Sequence, residues 1–271
     1  MRVDIKQHYA DDYVLADISR VGDLVGVFDT FRPEVVIHMA AMVSRVTCEK
    51  SPHITVDTNL CGLNNIIQLC VQFESKLIYF STSEVYGNIS DPAELSETLV
   101  CEPNNRYGLT KYLGEKLVQY ESNLRYVILR PFMFYDENET FGENRSAMIR
   151  FAENLVKREK ITVHTGARRS WMHMSDAVIC IEKSLRIPAN EIINIGHPEV
   201  FSMKDVASKM CYLLGLNYAD LVTETALPNK MTLDKTPCLV KQFELISHVP
   251  TVSFDDGIKI VIHTVKNRLN L

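Results

Sequence analysis

Two short groups of residues in this chain are suited to work on one reaction. Thr82-Ser83-Glu84 closes the run Ile78-Tyr79-Phe80-Ser81. An apolar strand that stops at small hydroxyl residues and a carboxylate reads as a buried parallel strand whose carboxyl end opens into a site. The second group, Tyr107-Gly108-Leu109-Thr110-Lys111, begins 23 residues after Glu84. A spacing of four puts the Tyr107 phenol and the Lys111 ammonium on one face of a helix. A nearby ammonium favours phenolate, so Tyr107 is expected to act as a base near neutral pH. A hydroxyl, a carboxylate and an activated phenol around one cleft suit proton and hydride transfer at a sugar carbon.

Those groups need a scaffold, and the first half of the chain reads as alternating strand and helix. Strands are expected at 13–17, 35–39, 76–81 and 126–129, and helices at 20–31, 54–73 and 106–120. This alternation implies a parallel α/β sheet with right-handed crossovers. The second half is less regular. Helices are expected at 146–158, 175–185, 203–216 and 254–265, with short strands at 160–163 and 192–195. The stretch 136–145 reads as a polar loop and 221–241 as irregular. There are no internal repeats.

Composition bounds the function. The 271 residues are 46% hydrophobic and 23% charged, with a net charge of −5, as in an ordinary globular protein with a substantial core. No basic run is long enough to track a phosphate backbone, so nucleic acid is not an expected partner. The seven Cys are odd in number and no pair has Cys-x-x-Cys spacing. Reduced thiols and a cytoplasmic location are expected. No apolar run approaches membrane-spanning length, so no membrane partner is expected. The scattered His residues show no metal-ligand spacing, and no metal site is expected.

Ser-Thr-Ser-Glu-Val-Tyr-Gly at 81–87 followed by Tyr-Gly-x-Thr-Lys at 107–111 resembles the extended short-chain dehydrogenase/reductases that modify nucleotide sugars. These are NAD-dependent epimerases, 4,6-dehydratases and UDP-glucuronate decarboxylases. Tyr112 and Lys116 also have Tyr-x-x-x-Lys spacing, but the family's Tyr-Gly-x-Ser/Thr-Lys form selects Tyr107 and Lys111. The resemblance implies an α/β fold, a Rossmann-like doubly wound parallel sheet with a smaller α+β substrate-binding portion. Residues 1–131 would form the NAD-binding domain. Residues 132–271 would form the nucleotide-sugar-binding portion, interwoven with the first. A homodimer through a four-helix bundle, built on the helices carrying Asn59 and Tyr107, is also implied.

The resemblance assigns roles residue by residue. Thr82 would bond the sugar O4 and relay its proton to Tyr107, and Glu84 would abstract the C5 proton. Lys111 would support Tyr107, and both would contact the cofactor. Asp4, Asp17, Ile18, Ala40, Ala41, Asn59 and Pro131 would be further NAD contacts. Ser83, Arg145 and Arg169 would join Thr82 in binding substrate. Ser83 stands where dTDP-glucose 4,6-dehydratases carry Asp. Met133 stands where the family's Arg-x-x-Asn has an Asn on the substrate diphosphate. Simple 4-epimerases usually have a small residue in place of Glu84, so the expected reaction is a 4,6- or 5,6-dehydration. Decarboxylation of UDP-glucuronate, which would need an Arg near the substrate carboxylate, and 4-epimerisation are the alternatives. A non-catalytic binding or scaffold protein that kept the fold is the alternative of another class.

A dinucleotide fold opens with a strand, a Gly-rich turn and a helix N-terminus that holds the pyrophosphate. No Gly-x-x-Gly-x-x-Gly precedes the first helix, and Met1–Ile5 resembles the end of the family's second strand. Roughly thirty residues, one strand and one helix, are therefore expected to be absent. Three readings are open: a piece of a longer protein, a naturally truncated homologue that binds NAD poorly or not at all, or a fold completed by a neighbouring subunit.

Overall fold

The computed structural model describes residues 1–88, 94–142, 145–188, 190–226 and 234–271. The chain divides into two compact units. The first holds 1–87, 100–130 and 184–193; the second holds 88–99, 131–183 and 194–271. Two segments thus lie across the expected boundary near 131. The second unit, expected to be the smaller, is the longer.

The first unit opens with β1 (Arg2–Asp4) and β2 (Tyr13–Leu15), followed by α1 (Val21–Phe31) and β3 (Val35–His38). Then come α2 (Arg45–Lys50), α3 (Pro52–Val56), a π-helical turn at Asp57–Gly62, and α4 (Leu63–Gln72). β4 (Lys76–Phe80) leads into a 3-10 turn at Ser83–Tyr86, and α5 (Arg106–Tyr120) precedes β5 (Tyr126–Pro131). β3, β4 and β5 pair in parallel, and β9 (Glu191–Ile195) flanks β5. β4 is buried at all five positions, as expected of a central strand covered on both faces. Its first residue is a lysine, tolerated there because Lys76 Nζ donates to the carbonyls of Ser184, Leu185 and Ile187.

Among the described residues β1 and β2 pair only with each other, and β3 is an edge of the four-stranded sheet. Ile37 on β3 is 42% exposed, an apolar side chain where a continuous doubly wound sheet would bury it. Leu24 and Phe28, one turn apart on α1, pack with Ile66, Ile67 and Cys70 of α4.

The helix expected over 54–73 runs unbroken through 52–72, as α3, a π-helical turn and α4. Asn59 sits in that π-helical turn. Its side chain is drawn into three hydrogen bonds away from the helix axis, and extra-residue turns of this kind recur where a helix must aim one side chain.

The second unit is built on β8 (Arg168–His173), with β6 (Met133–Tyr135), β10 (Val200–Ser202) and β12 (Asp234–Lys235) pairing to it. β7 (Ile161–His164) and β11 (Val222–Thr225) form a separate parallel pair. α6 (Ala147–Val156), α8 (Met203–Leu214) and α10 (Phe254–Leu269) close over Tyr135 and Trp171 in one apolar core. α7 (Met174–Ser184) and the short α9 (Tyr218–Leu221) complete the elements. β11 and β12 fall in the stretch expected to be irregular, and part of that stretch, 227–233, lies outside the described residues. So do 143–144 of the expected polar loop. No described helix is long and apolar enough to cross a membrane.

Candidate active site

The site grows from the carboxyl end of β4. Thr82 has extended backbone, and its hydroxyl accepts from the Glu84 N–H at 3.2 Å, capping the 3-10 turn. That turn directs Glu84 towards the start of α5. There Asn105 caps α5 by accepting from the Gly108 N–H at 2.9 Å, while its amide donates to Glu84 Oε2 at 2.9 Å. Position 108 must be glycine, because a Cβ there would sit 2.6 Å from the Glu84 carbonyl oxygen. The Tyr107 hydroxyl lies close enough to Thr82, Glu84 and Cys48 for each to shift its pKa. Thr82, Glu84 and Tyr107 therefore share one site.

The electrostatics of Tyr107 differ from expectation. Burial pushes its hydroxyl up to about 12, Glu84 and Cys48 push it the same way, and only Thr82 opposes them. The phenol is thus protonated at neutral pH in this state. Lys111 does not correct this, because its ammonium faces elsewhere. Nζ donates to the Phe80 carbonyl at 2.6 Å and lies 4.8 Å from the centre of the Tyr79 ring. Burial brings Lys111 down to about 7, against the pull of Glu115.

Beneath Lys111 lies a polar network that sequence reasoning missed. Glu115, one turn further along α5, is fully buried. Arg130 forks onto it, with Nε and Nη2 donating at 2.9 and 2.7 Å. The Ser81 hydroxyl donates to the same carboxylate, and Arg130 Nη1 donates to the Tyr86 hydroxyl at 3.0 Å. Burial alone would lower the Arg130 pKa, but the bonds to Glu115 override it and raise it. The i,i+4 spacing of Lys111 and Glu115 was the available signal.

Arg45 was also missed, and no local pattern marks it. It opens α2, and its Nη1 lies 3.8 Å from Glu84 Oε2.

The other expected residues fall in several places. Asp4 and Asp17 come together at the carboxyl ends of β1 and β2, where the Ala16 N–H donates to the Asp4 carbonyl. Asp17 helps line a cleft of about 350 Å³ with Ile5, Leu15, Ala16, Arg20 and Asp23. Its carboxylate accepts from the Ser19 N–H and hydroxyl, and the Ser19 N–H, then the hydroxyl, hold its pKa low. Ile18 is a core residue pressed against Gly62, not an open flank. Ala40 is exposed and Ala41 half-buried just past β3. Asn59 is buried, exchanging bonds with the Met42 backbone and donating to Thr110 Oγ1 at 3.0 Å. Ser83 is buried in the 3-10 turn, and Pro131 ends β5. Arg145 and Arg169 belong to the second unit, where Arg145 is exposed and Arg169 is buried with Nη1 on the Arg168 carbonyl. Of the two Tyr-x-x-x-Lys pairs, Lys111 is buried while Lys116 is exposed over the Tyr112 ring.

Lys111 bears on whether a dinucleotide fits. A buried ammonium has three donors, and this one meets a single acceptor among the described residues. A ribose diol would complete it. The residues thus fit the nicotinamide-ribose end of a dinucleotide. No cluster of His, Cys, Asp or Glu among the described residues is arranged to hold a metal.

Residues 3–196 match the NAD dependent epimerase/dehydratase family, and the chain belongs to it. It is 28% identical to the UDP-N-acetyl-α-D-glucosaminuronate decarboxylase of Bacillus cytotoxicus, over 84% of this chain and 75% of that one. Its fold matches the UDP-glucose 4-epimerase of Thermotoga maritima, crystallised with UDP-glucose, with a TM-score of 0.89 at 21% identity, covering 95% and 85% of the two chains. It also matches the dTDP-glucose 4,6-dehydratase of Streptomyces venezuelae, crystallised with NAD, with a TM-score of 0.85 at 22% identity, covering 95% and 80%. The relatives thus include a decarboxylase, an epimerase and a dehydratase of nucleotide sugars.

Proposed function

We propose that this chain is an NAD-dependent enzyme that modifies a nucleotide-diphosphate sugar through a 4-keto intermediate. One observation carries the reading: Thr82, Glu84 and Tyr107 converge beside a buried Lys111 ammonium with idle donors. Membership of the epimerase/dehydratase family supports it. Bound NAD⁺ supplies the hydride acceptor for C4. Thr82 binds the sugar O4, and Tyr107 takes its proton. Lys111 offers its idle donors to a ribose. Glu84, oriented by Asn105, handles the proton at C5, which an adjacent ketone acidifies.

The outcome depends on what C6 carries. On a hexose, loss of the C5 proton expels the C6 hydroxyl, which takes up a proton and leaves as water; the hydride taken from C4 would return to C6 in the 4,6-dehydratase reading and to C4 in the 5,6-dehydratase reading. On a hexuronate the C4 ketone is β to the carboxylate, so the C5–C6 bond cleaves, carbon dioxide leaves and C5 takes a proton; the hydride would then return to C4, or the cofactor would leave reduced beside a 4-keto product. Arg45 beside Glu84 favours the second substrate class. Simple 4-epimerisation makes no use of Glu84.

A homodimer fits the surface. Leu109, Leu113 and Leu117 remain exposed at four-residue steps along α5, with Ile54 and Val56 exposed on α3, an apolar face suited to a four-helix bundle. The seven free cysteines fit a reducing cytoplasm.

The test is calorimetric titration with NAD, then incubation with UDP-, dTDP- and GDP-hexoses and UDP-glucuronate, with products read by NMR. NAD binding with a 4-keto, eliminated or decarboxylated product is expected. No NAD binding and no product from any sugar would leave the non-catalytic binding protein as the correct reading.

A further inference from the structure

We infer that Arg45 reads the carboxylate of a hexuronic acid, so that the sugar is acidic at C6 and not a neutral hexose. The inference rests on the proposed reading, which sets sugar O4 at Thr82 and C5 at Glu84. Arg45 Nη1 is buried and has no hydrogen-bond partner. Its nearest carboxylate oxygen, Glu84 Oε2, is 3.8 Å away, beyond hydrogen-bonding distance. That same oxygen already accepts from Asn105 at 2.9 Å. Glu84 thus has a neutral holder, and the Arg45 donor is left over. Buried donors in native proteins are paired with protein, water or ligand.

The order of groups supplies the location. Tyr107 meets Thr82, Tyr107 faces Glu84, and Glu84 faces Arg45. A pyranose laid along this order with O4 at Thr82 and C5 at Glu84 brings its C6 substituent to Arg45. A guanidinium presents paired donors that match the two oxygens of a carboxylate, whereas a C6 hydroxyl offers one oxygen. The Arg45 side chain as a whole is 34% exposed. Its charge also offsets the repulsion between Glu84 and a second carboxylate.

The test is calorimetric affinity for UDP-glucuronate and UDP-glucose in the presence of NAD, for wild type, Arg45→Gln and Arg45→Lys. Wild type is expected to prefer UDP-glucuronate by about tenfold or more. Arg45→Gln is expected to abolish the preference by weakening UDP-glucuronate alone, and Arg45→Lys to keep part of it. Arg45→Lys carries the same readout should Arg45→Gln fail to fold. Equal weakening of both sugars, or a preference that survives Arg45→Gln, overturns the role of Arg45 and leaves the nucleotide-sugar reading standing. Wild type that binds neither sugar overturns both.

Discussion

Arg130 forks onto Glu115 one helical turn behind Lys111, with both partners almost wholly withdrawn from water. Burying an ion pair is justified energetically only when its geometry is good and its remaining hydrogen-bonding groups are met. Here Ser81 and Tyr86 meet them. The pair sits on α5 and β5, the two elements behind the Tyr107 site, and so fixes the floor of that site.

Removing one partner strands a buried charge. Arg130→Met is expected to destabilise the protein by about 3–5 kcal/mol, read as a fall in the denaturant midpoint. Glu115→Gln removes the charge that supports protonated Lys111. Its activity should therefore decline at lower pH on the alkaline side than that of wild type. An unchanged alkaline limb would separate Glu115 from Lys111.

Lys111 itself gives a stability prediction with a definite sign. Burial lowers it from 10.5 to about 7, so between those values the unfolded chain binds more protons than the folded one. Stability then rises with pH through that window. The cost of burying the charged form is full below about pH 7 and gone above about 10.5, and amounts to at most about 5 kcal/mol. Lys111→Met should be at least as stable as wild type at pH 6, and that advantage should shrink as pH rises towards 10. Paired denaturation curves at the two pH values check this.

Tyr107→Phe removes the hydroxyl that lies beside Thr82 and Glu84. Turnover should fall by on the order of 10²–10⁴-fold, with a change in stability of only about 1 kcal/mol. A variant that retains most of its turnover contradicts the role of Tyr107.

Gly108→Ala drives a methyl group to 2.6 Å from the Glu84 carbonyl oxygen. The turn must shift, and a loss of about 1–3 kcal/mol is expected. Because the same turn carries Glu84, turnover should drop more than the loss of folded protein accounts for. Thermal unfolding beside a steady-state assay separates the two effects.

Much of the site was legible in the sequence because it is local. Helix periodicity placed Tyr107 and Lys111 on one face, and the strand that ends at Thr82-Ser83-Glu84 marked where they would meet. The missing parts are tertiary. Arg45 reaches Glu84 from a helix nearly forty residues earlier, with no local pattern to mark it. Asn59 spends its amide on Met42 and Thr110, from a π-helical turn inside the long helix that apolar spacing predicts. The Tyr107 expectation failed on magnitude: a lysine four residues away lowers a phenol only if it faces it. Lys111 faces Phe80 and Tyr79 instead, and burial dominates. β8 was missed because it is buried at five of its six positions and carries Arg169, Ser170 and His173 among them, so it lacks the alternation that marks a half-exposed strand.

The measurement that tests the account most directly is turnover in deuterium oxide with NAD and UDP-glucuronate, followed by NMR of the sugar ring. A ketone at C4 and proton handling at C5 by Glu84 predict a product carrying solvent deuterium at C5, with Glu84→Gln abolishing its formation. A product with no solvent deuterium at C5, or no product at all, would contradict the assignment of Glu84 and the reaction built on it.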